Sequence, residues 1–444
     1  MFELQGSQHS PFCDRSSRRD FLRLGSLALG GLTLSNALRV RAASGQEAKP
    51  KSWGKAGILI WLAGGPSQIE TFDPKPDAPV DYRGPFKTIS TKVPGMQVCE
   101  IFPKLATIAD KYSLVRSCCH ENSGHGGGQR WAMTGYDSRS PEFELPHDFP
   151  NVGSVVARMR GPNRKGMPSF TAFPPSNLHN QGAAYLGAAY NPLQVYSNGR
   201  PTELTLDPVV KAARLNDRRQ LRMQLDRMRR DGDRAGLMDS MDALEAQALD
   251  LVTGNAAQAA LDPSKEPAAM RERYGNSDLG KCCLLARRAV EAGTTFVTVS
   301  MGAWDQHGAA GGTIHEKYLE YAPQVDQAVT TLIEDLDDRG LLDDTVIYLL
   351  GEFGRTPRMN NTGGRDHWPQ AMSILMTGGG LQRGQIVGAT NSKGEFPTER
   401  VLAPADVLAT VYHTLGIDYR REFMNSEGRP VQLLAEGRPI RELV

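Results

Sequence analysis

The sequence lacks an excess of charge of either sign and shows no repeat. Its 444 residues contain 51 Lys and Arg against 50 Asp and Glu, so the net charge at pH 7 is +1. This balance gives no reason to expect a nucleic-acid partner. No fixed-period repeat or low-complexity tract stands out. A hydrophobic fraction of 40% and a charged fraction of 23% are typical of a globular protein with a large core.

Cysteine is also scarce. Beyond residue 43 the chain contains Cys99, Cys118, Cys119, Cys282 and Cys283. An odd number of cysteines that includes two adjacent pairs is unfavourable for disulfide formation, because neighbouring residues form strained bridges. We interpret these residues mostly as buried thiols. A metal site at the first adjacent pair is an alternative, although it lacks the spacing of a zinc knuckle.

The first 43 residues have the pattern of an export signal. Arg18–Arg19 precede a glycine-diluted apolar stretch, Leu24–Leu38, and Ala42–Ala43 offer a cleavage site. The apolar stretch is too short and too rich in glycine for a stable membrane span. The segment resembles a twin-arginine signal, which predicts a periplasmic or secreted protein with no membrane span after cleavage. An uncleaved anchor and a basic helix that caps the domain are the alternatives.

From residue 57 onward, apolar runs alternate with helical patterns. The runs that predict strands are 57–65, 113–119, 294–300, 344–352 and 371–379, and the helical patterns are 102–112, 282–293, 315–341 and 404–417. Pro323 predicts a kink or a break in the third of these helices. The alternation predicts one α/β domain over residues 44–444, with a mostly parallel sheet covered by helices on both faces.

The pattern loosens between about residues 143 and 278. We interpret this region as an insertion or cap on the same domain. Its charged stretch 215–230, "LNDRRQLRMQLDRMRR", predicts a solvated helix face, with a basic docking surface as the alternative.

Polar residues gather in the loops that follow the predicted strands. Ligands of open parallel sheets bind beyond the carboxyl ends of the strands. The residues in these loops are Ser67, Glu70 and Asp73; His120, Glu121, Asn122, His125 and Arg130; Asp305 and His307; and Glu352, Arg355, Asp366 and His367. Taken together they predict a binding site at this edge of the sheet, whereas a purely structural set of hydrogen bonds is the alternative.

The segment "WDQHG" suggests a metal. Asp305 and His307 stand two residues apart, so in an extended segment their side chains point the same way. Imidazole and carboxylate sets suit zinc, manganese or similar divalent ions, and two adjacent ions would suit displacement at an anionic ester. Arg130 and Arg355 would then hold the remaining oxygens of the anion in a fork. One ion, two ions and none are all open at this point.

The C-terminal part resembles that of alkaline phosphatases, sulfatases and cofactor-independent phosphoglycerate mutases. "RDHWPQAMSILMTGGG" places a histidine before a strand, and "VLAPADVLATVYHTLGID" is similar to a helix that comes later in those enzymes. The resemblance implies an alkaline-phosphatase-like α/β fold. It also implies metal ligands, which are Asp305, His307 and His367, with Asp366 beside them, and Glu352 for a second ion, aided by His120 or His125.

More specifically, the chain beyond the signal resembles the exported bacterial family known as domain of unknown function 1501. The motifs that carry the resemblance are "LAGGPSQIETFDPKP", "HENSGHGGGQRWAMTGY", "WDQHG", "GEFGRTPRMN" and "GRDHWP".

Two departures from the superfamily pattern concern the mechanism. Sulfatases place a modified cysteine or serine nine residues before a Thr-Gly pair, but here His125 takes that position and Ser123 is the nearest hydroxyl. Gly64–Pro66 occupies the place where the first strand should supply a metal-binding aspartate. Asp73, Glu70 or Ser67 would have to substitute for it.

Three functions are compatible with these observations. The first is an exported metal-dependent hydrolase of sulfate or phosphate esters, on polysaccharides among other substrates, in which water or Ser123 attacks. The second is a non-catalytic protein that binds an anionic or sulfated polysaccharide on the same scaffold. The third is a structural subunit of an envelope complex, with the stretch 215–230 as its contact.

Overall fold

The computed structural model describes residues 54–137, 149–175, 182–202 and 255–444, so the predicted export signal and the stretch 215–230 lie outside the described residues. Within these ranges the strands are β1 (Ala56–Leu62), β2 (Thr88–Ser90), β3 (Gln97–Cys99), β4 (Ser113–Cys118), β5 (Phe170–Phe173), β6 (Leu193–Gln194), β7 (Phe296–Met301), β8 (Thr345–Leu350), β9 (Gly354–Arg355), β10 (His367–Trp368), β11 (Met372–Thr377), β12 (Ile386–Val387), β13 (Ala389–Thr390), β14 (Pro397–Glu399), β15 (Glu422–Met424) and β16 (Pro430–Gln432). The α-helices are α1 (Val80–Arg83), α2 (Pro103–Thr107), α3 (His125–Thr134), α4 (Val152–Arg160), α5 (Asn255–Leu261), α6 (Ala268–Tyr274), α7 (Asp278–Ala292), α8 (Ile314–Asp338) and α9 (Pro404–Thr414).

One sheet of eight strands organises the described residues. Its order is β12-β4-β11-β8-β1-β7-β5-β6, and β11 alone runs antiparallel to its neighbours β4 and β8. The predicted α/β class with a mostly parallel sheet is therefore confirmed. All five predicted strands are present, as β1, β4, β7, β8 and β11.

The sheet buries apolar side chains on both faces, as a parallel sheet between helices must. Along β1, Ile58 and Ile60 belong to a core cluster that includes buried residues of α7 and α8. Leu59 and Trp61, on the other face, belong to a cluster that includes residues of α3, α4 and α9. The continuous apolar run of β1 thus reflects a strand with no solvent-facing side.

The interpretation of the region of about 143–278 as an insertion or cap needs a correction. Two strands of the main sheet, β5 and β6, come from it, and β5 pairs in parallel with β7 over four residues. The region therefore contributes to the core of the domain as well as to loops. The run "FTAF" of β5 is too short for its period to be distinguished from loop sequence.

Of the kink or break expected at Pro323, the break is absent. Helix α8 continues from Ile314 to Asp338 with Pro323 inside it. Pro323 is exposed, so it lies on the solvent side of α8, where water can satisfy the carbonyl that lacks its helical partner.

The direction of β11 determines what lies at the carboxyl edge of the sheet. Because β11 is antiparallel, it begins where β4 and β8 end, and the residues just before Met372 lie at that edge. The loop that precedes β11 thus joins the loops that follow β1, β4, β7 and β8. Among the described residues, no helix has the length and apolar composition needed to cross a membrane.

Candidate metal centre

Four segments meet at the carboxyl edge of the sheet. They are the loop after β4 together with the start of α3, the "WDQHG" segment after β7, the segment from Glu352 through β9 after β8, and β10 before β11. Strand β9 pairs antiparallel with β10, which places His367 opposite Arg355. This short ladder holds the segment before β11 against the segment after β8.

The "WDQHG" segment is fixed by a buried tryptophan and by a strained residue. Trp304 is fully buried, and its ring lies 5.0 Å from that of Tyr318 on α8, edge to face. Ala303 has φ +77°, in the left-handed region that costs a residue with a Cβ atom about 1–2 kcal/mol. With the tryptophan held inside, the following Asp305 and His307 project at the end of the sheet.

Asp305 is the centre of a cluster of three histidines. Its Oδ1 lies 2.9 Å from Nε2 of His307 and 3.0 Å from Nε2 of His367. Its Oδ2 lies 3.3 Å from Nε2 of His125, and the Nε2 atoms of His307 and His367 are 3.1 Å apart. Asp305 and His307 do converge, as their spacing predicts.

The other ring nitrogen of each histidine is already engaged. Each Nδ1 faces an oxygen that can only accept a hydrogen bond, so each Nδ1 carries a hydrogen. The pairs are His125 with Glu352, His307 with Asp366 and His367 with the backbone carbonyl of Ser123, all at 2.7 Å. Each Nε2 faces Asp305, so either a proton on Nε2 or a metal ion must lie between the nitrogen and the carboxylate, because two lone pairs would repel each other.

The distances fit a small divalent ion. A tetrahedral ion with bonds of about 2.0–2.1 Å to nitrogen keeps its ligand atoms about 3.3 Å apart. Ligand atoms of His125, Asp305 and His367 all lie within 4.8 Å of one another. The buried Oε2 of Glu352 has no hydrogen-bond partner among the described residues, a further acceptor without a donor beside the cluster. Hydrogen-bonded partners behind the ligating histidines are a regular feature of metal sites.

The pKa shifts in the cluster also favour a positive charge at this place. Burial alone would lower the pKa of His125, but its hydrogen bonds with Asp305 and Glu352 outweigh burial and raise the pKa to about 9. Burial would raise the pKa of Asp305, yet hydrogen bonds from His125, His367 and Arg355 hold it far below the ordinary value. Two carboxylates around one imidazole favour a positive charge there, whether a proton or a metal ion.

Arg355 has no hydrogen left for a ligand. Its side chain is fully buried, and its five N–H groups are directed at five acceptors. They are Gly65 O (2.9 Å from Nε), Arg365 O (3.1 Å) and His307 Nε2 (3.5 Å) for Nη1, and Gly64 O and Asp305 Oδ1 (2.5 Å) for Nη2. The prediction that Arg355 forks around a substrate anion therefore needs correcting, because its N–H groups already donate to acceptors of the protein itself.

Sequence reasoning missed a second buried arginine beneath the cluster. Arg365 donates to the carboxylate of Glu70 at 2.7–3.1 Å, and both side chains are buried. Its backbone N–H donates to Gln306 O at 2.9 Å, and its carbonyl accepts from Arg355. Arg365 thus connects the loop that follows β1, which contains Glu70, with the "WDQHG" segment. It stands inside "GRDHWP", but its partner Glu70 is 295 residues away.

His120 is a structural histidine in this arrangement. Its Nε2 lies 2.6 Å from the carbonyl of Glu352, and its Nδ1 accepts from the backbone N–H of Asn122 at 3.2 Å. Burial lowers its pKa to about 4. With both nitrogens engaged, His120 has no free lone pair for an ion.

The remaining predicted residues lie at different distances from the cluster. Asp73 accepts from Thr390 and pairs with Lys75 at 2.9 Å, so its carboxylate is occupied elsewhere. Arg130 is buried on α3 five residues after His125, about 140° around the helix from it. Ser123 is exposed, and its carbonyl touches His367.

Comparison with known proteins gives a family and distant structural neighbours. The family model described as "Protein of unknown function (DUF1501)" matches residues 54–444. No curated protein matches the chain. Among solved structures, the lipoteichoic acid synthase LtaP from Listeria monocytogenes is 12% identical, with 86% of this chain and 75% of that chain covered and a TM-score of 0.39. The PsFucS1 sulfatase from Pseudoalteromonas sp. is 10% identical, with 89% and 72% covered and a TM-score of 0.34. A protein in the alkaline phosphatase superfamily from Vibrio parahaemolyticus is 10% identical, with 82% and 67% covered and a TM-score of 0.37.

Proposed function

The chain belongs to the family described as protein of unknown function (DUF1501), and we propose that it is an exported metal-dependent hydrolase of sulfate or phosphate esters. The observation that carries the proposal is the set of three imidazoles that present Nε2 to one carboxylate, each with Nδ1 held by an oxygen. Export rests on the twin-arginine pattern of residues 1–43. Anionic polysaccharides outside the cell, which carry such esters, are the substrates that we propose.

The cluster fits one ion. His125, Asp305 and His367 would hold it, and Nε2 of His307 contacts Asp305 and His367 at 2.9 and 3.1 Å. His367 has a single lone pair on Nε2, so it cannot serve two ions at once. The donor set of nitrogens and one carboxylate suits zinc or manganese. When bound, such an ion supplies Lewis-acid stabilisation of the negative charge that develops on the ester.

Residues around the ion site have separate tasks in this proposal. Glu352 and Asp366 fix the ring orientation of His125 and His307 through their Nδ1 hydrogens. Helix α3 begins at His125, so the positive end of its dipole lies at the cluster and favours an anion there. Ser123 is exposed and its backbone carbonyl contacts His367, and we propose its hydroxyl as the protein nucleophile, with water as the alternative.

The test is turnover of aryl sulfates and aryl phosphates by the metal-loaded protein. We expect Asp305→Ala and His367→Ala each to lower turnover at least about 100-fold, because each removes a ligand of the ion. His413→Ala is the matched control, since His413 is an exposed histidine on α9. Turnover that stays at the wild-type level in both site variants would contradict the assignment.

A second candidate is a binding protein without chemistry. The guanidinium of Arg355 favours it, because its N–H groups already donate within the protein, whereas a hydrolase of this kind needs cationic donors for the anion. Binding of a sulfated polysaccharide by the metal-loaded protein, with no product after long incubation, would support this candidate over the hydrolase.

A further inference from the structure

The guanidinium of Arg355 is surrounded by oxygen atoms of the kind that usually coordinate a metal ion. Three backbone carbonyls and one carboxylate oxygen converge on its guanidinium, from Gly64, Gly65, Arg365 and Asp305. Converging carbonyl and carboxylate oxygens are the ligands that hard cations such as Ca²⁺ take in proteins. The same Asp305 faces the histidine cluster, so the oxygen cage adjoins the proposed ion site.

The cage is held from outside as well as by the guanidinium. The backbone N–H of Gly64 donates to Glu352 at 2.8 Å. The backbone of Arg355 exchanges two hydrogen bonds with the side chain of Gln68, at 2.9 and 3.0 Å. Gly64, and Arg365 through its backbone N–H bond to Gln306 O at 2.9 Å, are thus positioned partly by contacts that do not involve the guanidinium of Arg355. Removal of the side chain would leave several oxygens with partial negative charge around an empty space.

A fixed guanidinium and a second divalent ion exclude each other here. Arg355 is charged at any physiological pH, and it has no acceptor to offer a metal. Its side chain is fully buried, so the charge is not screened by solvent. Two cations a few ångströms apart in such a site would repel strongly.

We propose that Arg355 is a permanent internal cation that fills a latent hard-cation site and so limits the cluster to one metal ion. The inference rests on the metal centre of the proposed function, but not on ester hydrolysis. In this role Arg355 is a positioning residue: it fixes Oδ1 of Asp305 without touching the substrate. The site it fills would take Ca²⁺, with water for the ligands that four protein oxygens do not supply.

The test compares wild type with Arg355→Ala, Arg355→Met and Arg355→Lys, each purified as the full chain. Bound metals are counted after dialysis against calcium, and the melting temperature is measured with and without millimolar Ca²⁺. We expect wild type to hold about one transition-metal ion and no calcium. Arg355→Ala should melt lower without calcium, recover with it and gain about one Ca²⁺, because the vacated space holds an ion.

The other variants separate charge from volume. Arg355→Met fills part of the space and removes the charge, so it should be destabilised and calcium should not restore it. Arg355→Lys keeps a positive charge, so it should retain one transition-metal ion and show no calcium response. If Arg355→Ala does not fold in either buffer, the contrast between Lys and Met decides: equal melting temperatures and metal content for these two would overturn the proposal.

Wild type with two ions, or Arg355→Ala that folds without a calcium response, would also overturn it. Absence of ester turnover in wild type would count against the hydrolase, whereas the ion count would still test the role of Arg355. The two proposals therefore fail in distinguishable ways.

Discussion

Histidines of the same loop differ in what their ring nitrogens touch, and that difference decides their chemistry. His120 has both nitrogens engaged by backbone groups, whereas His125 keeps Nε2 directed at Asp305. Sequence reasoning could find the loop, because histidine and glycine concentrate there. It could not assign these two residues, since the partner of His120 is 232 residues away.

The low pKa of His120 predicts a pH-dependent stability. Its pKa of about 4 in the folded protein lies below the ordinary value of 6.5. Between these values the unfolded chain binds a proton that the folded chain does not, so the free energy of unfolding falls as pH drops. We expect His120 to contribute about 2–3 kcal/mol of this loss between pH 6.5 and 4.

Urea unfolding of wild type and His120→Gln across this pH range measures the contribution. All other residues are the same in both proteins, so the difference between the two curves isolates His120. Parallel curves, or an NMR titration of His120 near 6.5, would contradict the assignment.

At the scale of single elements, the sequence predicts strands well and their exceptions poorly. The apolar runs of β1, β8 and β11 are easy to recognise because every residue in them is buried, and those of β4 and β7 are buried at all but one position. The four residues of β5 carry too little pattern. The direction of β11 also escapes prediction, since an apolar run looks the same in either direction.

The loop after β1 requires glycine at one position, for a reason that the sequence alone does not show. Gly64 has φ +111°, and a Cβ atom there would lie 2.5 Å from the backbone nitrogen of Asp305. The β1 loop therefore approaches the "WDQHG" segment too closely for any side chain. This contact gives a physical reason for glycine at this position.

We expect Gly64→Ala to lower the free energy of unfolding by about 2–4 kcal/mol, from strain at φ and from the clash. It should also reduce metal content, because Asp305 must move. Gly95→Ala is the control: φ is +82°, but no heavy atom lies within 4 Å of the added Cβ. It should cost about 1 kcal/mol and leave metal content unchanged. Chemical denaturation and metal analysis of both variants check this, and equal losses in the two would show that the close approach is not the cause.

At the scale of the whole molecule, the order of the strands assembles the site. Strand β1 lies between β7 and β8, and β11 lies between β8 and β4, so loops from distant parts of the chain become neighbours. The residues of the cluster could be listed from the sequence because they follow strands. Which of them meet, and which serve other contacts as Asp73 does, depends on strand order, which local patterns do not encode.

The most direct test of the metal centre is elemental analysis of the full chain exported from a host with a twin-arginine pathway. We predict about one equivalent of zinc, manganese or a similar ion in wild type and in His413→Ala. The double variant Asp305→Ala/His367→Ala should lose it while remaining folded by circular dichroism. Folded wild type without metal, or a double variant with undiminished metal, would contradict the account.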